Sequence, residues 1–194
     1  MAESTDKVII SFDIGLKNLA CCCLTAAENS SILHWDIHSL MNEECKTKPN
    51  INLMSMRIFK EMDEIVSKVP RIDYVLIENQ PSRINGAMKT IQMIIYSYFQ
   101  YKKYSEKNIT DVLLISANRK TVDHPYEINM EDCKSGNKYT QRKWKSVKLT
   151  EKYIEQNEDL KKLLNNHKKK DDLCDALLQA ISWMRKEKIN CASF

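Results

Sequence analysis

Four carboxylates in this chain stand where carboxylates are costly. Asp13 closes the apolar run that begins at Val8, and Glu78 closes a second run that begins at Tyr74. Both lie at the C-terminal ends of predicted strands, the edge on which α/β sheets place their chemistry. Further on, Lys168-Lys169-Lys170-Asp171-Asp172-Leu173-Cys174-Asp175 opens an otherwise apolar helix. Asp172 and Asp175 fall one turn apart on one face, with Gln179, Ser182 and Lys186 continuing the polar stripe. Each carboxylate has an ordinary account: a strand end turning toward water, or Asp171 capping the helix while its neighbours favour the helix dipole. Jointly they are harder to dismiss, because three carboxylates about 5 Å apart repel by about 3 kcal/mol per pair at an effective dielectric of about 20. Such a cluster must bind a proton or a cation. Oxygen donors without a neighbouring histidine favour Mg²⁺ or Mn²⁺ over Zn²⁺, and two such ions can clamp the attacking and leaving oxygens of a phosphodiester.

The elements that must position these groups follow from hydrophobic spacing. Val8 to Ile14, Leu19 to Thr25 and Ile32 to Ile37 read as a three-stranded antiparallel meander, with turn residues Glu28-Asn29-Ser30-Ser31 between the last two. Ile58, Met62, Ile65, Val66 and Val69 recur at helical spacing over Leu53 to Val69, and Pro70 stops that helix. Tyr74 to Glu78 is a fourth strand, Ile84 to Tyr101 a long helix, and Asp111 to Ser116 a fifth strand. An irregular stretch from Asn118 to Tyr139 precedes a basic helix from Thr140 to Ile154, a short segment from Asp159 to Asn165, and the acidic-mouthed helix. In that last helix Leu173, Leu177, Ala180, Ile181 and Met184 form the apolar side. Strands alternating with helices after a meander predict one α/β domain over residues 1–194, with a mixed sheet covered on both faces.

Bulk properties narrow the class. A chain of 194 residues that is 43% apolar suits a globular domain, and three glycines with four prolines exclude a repeat or a long flexible linker. Thirty Lys and Arg against 26 Asp and Glu leave a net charge of +4, weak in sum but unevenly distributed. The sequence lacks both a membrane-length apolar run and a signal-peptide core at Met1-Ala2-Glu3-Ser4, which predicts a cytosolic or nuclear protein. Seven cysteines lack paired Cys-x-x-Cys spacing, and Cys21, Cys22 and Cys23 alternate in direction along a strand. They read as reduced thiols used as small hydrophobes.

At this point the residues carry a resemblance. Asp13-Ile14-Gly15, the Ile77-Glu78 strand end and Asp172-Leu173-Cys174-Asp175-Ala176-Leu177 resemble the catalytic pattern of RuvC-like Holliday junction resolvases, within the RNase H-like superfamily. The resemblance spans nearly the whole chain in order. The Lys-Lys-Asp-Asp form of the last motif is similar to the yeast mitochondrial and poxvirus branches, and Ile77-Glu78-Asn79-Gln80-Pro81 with the chain length is most similar to the poxvirus branch. The resemblance implies an RNase H-like five-stranded sheet of three antiparallel strands followed by two parallel ones, a homodimer, and paired symmetric nicks that resolve four-way DNA. It implies Asp13, Glu78, Asp172 and Asp175 as catalytic metal ligands, with Asp171 able to replace Asp172 if the helix began one residue earlier. Two Mg²⁺ per site, replaceable by Mn²⁺, would activate water and stabilise the leaving 3′-oxygen, leaving 5′-phosphate and 3′-hydroxyl ends. A poxvirus-type enzyme implies resolution of viral genome concatemers at cytoplasmic replication sites. Lys170, or its neighbours Lys168 and Lys169, would reach the scissile phosphate.

Candidate DNA contacts cluster apart from the carboxylates. Lys138, Arg142, Lys143, Lys145, Lys148 and Lys152 crowd one segment with Tyr139, Trp144 and Tyr153, and on a helix Arg142, Lys145, Lys148 and Lys152 form a stripe suited to a phosphate backbone. Arg83 and Asn85-Gly86 lie in the loop that opens the long helix and would face the expected site, and Lys89, a further candidate DNA contact, lies on the polar side of that helix. Tyr96, Tyr98, Phe99, Tyr101 and Tyr104 exceed what one core face needs and offer a dimer surface. Rival readings remain at this stage. An actin-like ATPase also carries Asp-x-Gly after its first strand, but needs a second glycine-rich phosphate loop, and the glycines here are only Gly15, Gly86 and Gly136. A non-catalytic binder of branched DNA and an RNA-DNA hybrid nuclease of the same fold are the other two.

Overall fold

The computed structural model describes residues 6–27, 30–41, 50–81, 86–122 and 124–189. Within them the elements run β1 (Lys7–Asp13), β2 (Leu19–Ala26), β3 (Ile32–His38), α1 (Ile51–Ser67), β4 (Tyr74–Asn79), α2 (Gly86–Glu106), β5 (Asp111–Ser116), α3 (Lys138–Tyr153), α4 (Glu158–Asn166) and α5 (Lys170–Lys186), with single 3₁₀ turns at Ala117–Arg119 and Met130–Asp132. The strands form one sheet in the order β3-β2-β1-β4-β5. β2 pairs antiparallel with both β1 and β3, whereas β4 is parallel to β1 and β5 parallel to β4. This is the mixed sheet that the hydrophobic spacing predicts. Because β1, β4 and β5 run the same way, their C-terminal ends share one edge, and each delivers its last residues there.

Burial explains why the strands read as unbroken apolar runs. Ile10, Phe12, Cys21 and Cys23 face α1 and α2, where Ile58, Met62, Ile65, Ile91, Ile95 and Phe99 meet them. Ile9, Cys22 and Leu76 face the other way, against Leu149 of α3 and Leu173, Leu177, Ile181 and Met184 of α5. The three consecutive cysteines therefore divide between two cores, as the two-residue period of a strand requires. All three are free thiols, and burial raises their pKa values. Cys45 and Cys191 lie outside the described residues.

Several local features differ from expectation for identifiable reasons. α3 starts at Lys138 because the Asn137 side chain accepts from the Tyr139 backbone N–H, capping the helix two residues earlier than its apolar spacing suggests. α5 starts at Lys170 after Lys169, without a side-chain cap, so Asp171 is not the cap and sits inside the first turn. The middle of the polar stripe of α5 faces the sheet rather than water: Gln179 is 1% exposed and its Nε2 donates to Ser11 Oγ and the Phe12 carbonyl, whereas Lys186 at the end of the stripe is exposed. Gly15 has no positive φ, but a Cβ there would lie 2.3 Å from the Asn18 carbonyl oxygen. Only glycine permits the tight return from β1 to β2 directly behind Asp13.

Candidate active site

Asp13 ends β1, Glu78 lies one residue from the end of β4, and Asp175 stands on α5, which crosses β1 and β2. Lys120, in the turn after β5, reaches into the space between them. Its Nζ lies 2.5 Å from Asp13 Oδ1, 3.1 Å from Glu78 Oε1 and 3.4 Å from Asp175 Oδ2. The lysine side chain is 6% exposed, against 13% for Asp13, 12% for Glu78 and 31% for Asp175, so the pairing is internal rather than a surface ion pair. Asp172 stands one turn before Asp175, half-buried, and feels both Asp171 and Asp13 as repelling charges.

The protonation balance follows from burial and charge. Desolvation raises the Asp13 carboxyl to about 7, overcoming the attraction of Lys120, and the Glu78 charge raises it further. Burial first, then Asp171 and Asp13, lift Asp172 to about 6. Asp175 is also raised by burial, in spite of Lys120 and a hydrogen bond involving Ser146 of α3. Lys120 is held well above its ordinary value: its carboxylate neighbours outweigh the desolvation that would neutralise it. One ammonium cannot balance four carboxylates, so the site keeps protons near neutral pH until more positive charge arrives.

Surrounding polar groups hold this arrangement in place. The Lys120 carbonyl meets His124 Nε2 at 2.9 Å, and His124 Nδ1 lies 2.9 Å from the Tyr153 hydroxyl on α3. Lys145 Nζ donates to the Thr121 carbonyl at 3.3 Å, tying the same turn to α3. Glu78 Oε2 accepts from Gln80 Nε2 at 2.6 Å, and the Gln80 backbone N–H donates to Gln92 Oε1 on α2. Trp35 Nε1 donates to the Leu173 carbonyl and fixes the start of α5 against β3.

The expected site residues separate on this frame. Asp13, Glu78 and Asp175 gather around one point, and Asp172 lies beside them. Asp171 instead pairs with Lys143, which lowers its pKa, so of the two neighbouring aspartates Asp172 faces the cluster. Lys170 is directed at Asn165 Oδ1, 2.7 Å away, rather than into the cluster. Lys89 bonds Asn79 Oδ1 and Gln92 Oε1, both at 3.1 Å, and so braces the strand end that carries Glu78. Of the basic segment, Lys138 is exposed, Arg142 and Lys143 lie over the Tyr139 ring, and Lys148 and Lys152 pair with Glu151 and Glu155. Arg83 lies outside the described residues.

Lys120 is the residue that sequence reading missed. A signal was present: if β1 and β4 end in chemistry, their parallel neighbour β5 ends in Ser116-Ala117-Asn118-Arg119-Lys120 on the same edge.

Divalent cations fit the donor set. Oxygen atoms of three carboxylates already surround one cationic nitrogen, and hard oxygen donors of net negative charge suit Mg²⁺. Among the described residues no three His, Cys, Asp or Glu groups are spaced around a metal-sized point; these are spaced around the ammonium instead. Asp13, Glu78, Asp172 and Asp175 are the groups that would take over such an ion.

Comparison with known proteins gives the family and the fold. The family model described as Poxvirus A22 protein matches residues 7–187. An uncharacterized protein of Acanthamoeba polyphaga mimivirus is 30% identical over 150 residues, covering 72% of this chain. The chain spans only 36% of that relative's length. Among solved structures, the yeast mitochondrial Holliday junction resolvase Ydc2 superposes with a TM-score of 0.63 at 18% identity, over 94% of this chain and 81% of the other. The fowlpox virus Holliday junction resolvase gives 0.59 at 16%, over 93% and 99%. Thermus thermophilus RuvC in complex with a Holliday junction substrate gives 0.58 at 10%, over 95% and 98%. At these identities the superpositions show a shared fold.

Proposed function

The chain belongs to the family of the Poxvirus A22 protein, and on that premise we propose that it is a Holliday junction resolvase: a metal-dependent endonuclease that resolves four-way DNA by paired symmetric nicks, leaving 5′-phosphate and 3′-hydroxyl ends. The observation that carries this reading is the convergence of Asp13, Glu78 and Asp175 on a single cation position at the shared strand edge. The names of the superposed resolvases support the same substrate class.

In this reading Asp13, Glu78, Asp172 and Asp175 hold two Mg²⁺ ions, for which Mn²⁺ can substitute. Bound divalent cations supply Lewis-acid activation of water and stabilisation of the leaving oxygen. Asp13 and Asp172 must lose their protons to act as ligands, so the chain couples cation binding to proton release. Lys120, freed from part of its carboxylate shell, keeps its charge and offsets the negative charge that develops on the scissile phosphate. It takes the role expected of Lys170. Lys138, Arg142, Lys148 and Lys152 are the phosphate contacts along α3, since their partners there are exposed or few; Lys143 and Lys145 serve the site's architecture first.

The active unit is a homodimer, as paired nicks require two sites. Its surface lies on α1 and α2, where Met56 is 71% exposed and Tyr101 69%, with Phe59, Met93 and Tyr104 also exposed. Branched DNA other than four-way junctions is a further substrate class. No helix among the described residues is long and apolar enough to cross a membrane. The biological setting is resolution of viral genome concatemers in cytoplasmic replication sites.

A four-way junction, a nicked duplex and an RNA-DNA hybrid, each incubated with the chain and Mg²⁺, test the proposal. Symmetric cuts in the junction are expected, with loss of at least about 100-fold in cutting but retained binding for Asp175→Asn. Preferential cutting of the hybrid would assign a different nuclease, binding without cutting by the unaltered chain would assign a non-catalytic protein, and cutting in a chelator would sink the metal dependence.

A further inference from the structure

The antiparallel half of the sheet carries a second group of ligand-type side chains that the carboxylate edge does not use. His34, Asp36 and His38 alternate onto one face of β3. Their cross-strand partners on β2 are Cys23, Cys21 and Leu19. Four residues along a strand separate Cα atoms by about 13 Å. Yet His34 Nε2 and His38 Nε2 lie 3.2 Å apart, and the ring centroids 5.4 Å apart. Both rings therefore extend along the strand toward each other, above Asp36, instead of standing out from the sheet.

The tautomers follow from the partners. His38 Nδ1 lies 2.5 Å from Glu61 Oε1 of α1, and His38 is 8% exposed. A proton on Nδ1 bound by that carboxylate leaves the Nε2 lone pair of His38 aimed at His34. Without a cation, His34 satisfies it with its own Nε2–H. If His34 carries its proton on Nδ1 instead, two lone pairs face one point. Two imidazole nitrogens on a tetrahedral Zn²⁺ with Zn–N of about 2.0–2.1 Å are about 3.3 Å apart, so the nitrogen spacing already matches and the rings need only pivot to turn both lone pairs onto one ion. A carboxylate gripping the far nitrogen of a ligating histidine is the usual outer support of such sites.

We infer that His34 and His38 form a binding site for a borderline divalent cation of the Zn²⁺ type, with Glu61 as the orienting carboxylate. The site is separate from the carboxylate edge. Imidazole nitrogens select Zn²⁺ over the Mg²⁺ preferred by the oxygen cluster, so the two sites take different ions. No third His, Cys, Asp or Glu donor completes the set among the described residues, so water fills the remaining positions. Asp36 and Glu61 supply favourable charge nearby, and Lys68 opposes it. His34 is half-buried, which leaves the point open to solvent. An ion there fastens the edge strand β3 to α1 through His38 and Glu61.

Zinc titration of the full chain in excess Mg²⁺, in competition with a chromogenic chelator, tests this. One Zn²⁺ per chain is expected, with zinc raising Tm. His34→Ala should weaken zinc binding at least about tenfold, and Glu61→Gln about 10- to 100-fold. Junction cutting with Mg²⁺ should be unchanged in His34→Ala, whose position at a partly open edge avoids the folding risk of altering the buried His38. Equal zinc affinity in the unaltered chain and His34→Ala overturns the site, as does the absence of saturable binding. Loss of zinc in Asp175→Asn with retention in His34→Ala would assign the ion to the carboxylates and equally overturn it.

Discussion

Replacing Lys120 with methionine keeps the aliphatic stem and removes the charge from the centre of the site. Its Nζ contacts three carboxylates within 3.4 Å, and the side chain is 6% exposed. A single pair with charge centres about 4 Å apart is worth about 4 kcal/mol at an effective dielectric of about 20, and desolvation of the ammonium offsets much of the total. Breaking a buried pair from one side typically costs about 3–5 kcal/mol, which is the expected loss at about pH 8. The loss should shrink with acidity. Asp13 at about 7 and Asp172 at about 6 lie above their unfolded values, so the native state holds extra protons. Their stabilising contribution is full below the unfolded pKa and is lost as pH rises through the folded one. Without Lys120, whose charge holds the Asp13 and Asp175 carboxyls down, those two move higher still, so the deficit should fall to about 1–2 kcal/mol at about pH 5.5. Urea unfolding at both pH values, with and without Mg²⁺, measures this. Mg²⁺ should restore more stability to the variant than to the parent at the higher pH, while junction cutting falls at least about 100-fold. An equal loss at both pH values, with no rescue by Mg²⁺, would refute the assignment of Lys120 as the ion that balances the carboxylates.

Cutting at limiting Mg²⁺ should rise as pH increases through about 6 to 7, because Asp172 and Asp13 must deprotonate before they ligate; a flat rate over that interval would contradict it. Gly15→Ala should destabilise the chain by about 1–3 kcal/mol, since its Cβ meets the Asn18 carbonyl at 2.3 Å; an unfolding curve identical to the parent's would remove the close approach as a constraint. Lys148→Ala and Lys152→Ala should each reduce the salt slope of DNA binding by about 0.9 without changing the rate at saturating DNA. Lys145→Ala should lower that rate instead, through the Thr121 carbonyl it holds, and a pure salt-slope effect would place it with the phosphate contacts.

Hydrophobic period exposed the sheet well. β1 and β4 carry continuous apolar runs because helices cover both faces, whereas the edge strand β5 buries only Val112, and the buried sides of α1, α2 and α5 emerge at helical spacing. Asp13 and Glu78 were visible as charges at the ends of such runs, and Asp172 and Asp175 as a pair at i,i+3. Lys120 was not, because it lies in an irregular turn where no period marks direction, among many other lysines. The basic segment of α3 hides its packing for a related reason. Helical spacing places Lys143 and Lys145 on α3, but only the packing of α3 beside α5 and the turn after β5 turns them inward. The helix start depended on one residue, and Asp171 lost the cap position to Lys169 once α5 began at Lys170.

Asp13 and Lys120 are 107 positions apart along the chain, and Lys120 and Asp175 a further 55. Closing loops of that length costs entropy that only the completed sheet and the docked α5 repay. Such long-range contacts also slow folding relative to local helical ones. The site therefore has no partial form: a chain still emerging from the ribosome carries Asp13 and Glu78 without the turn braced by α3, and one with α5 detached lacks Asp172 and Asp175. On the proposed function, nuclease competence would double as a report that folding has finished, since an incompletely folded copy lacks the assembled site.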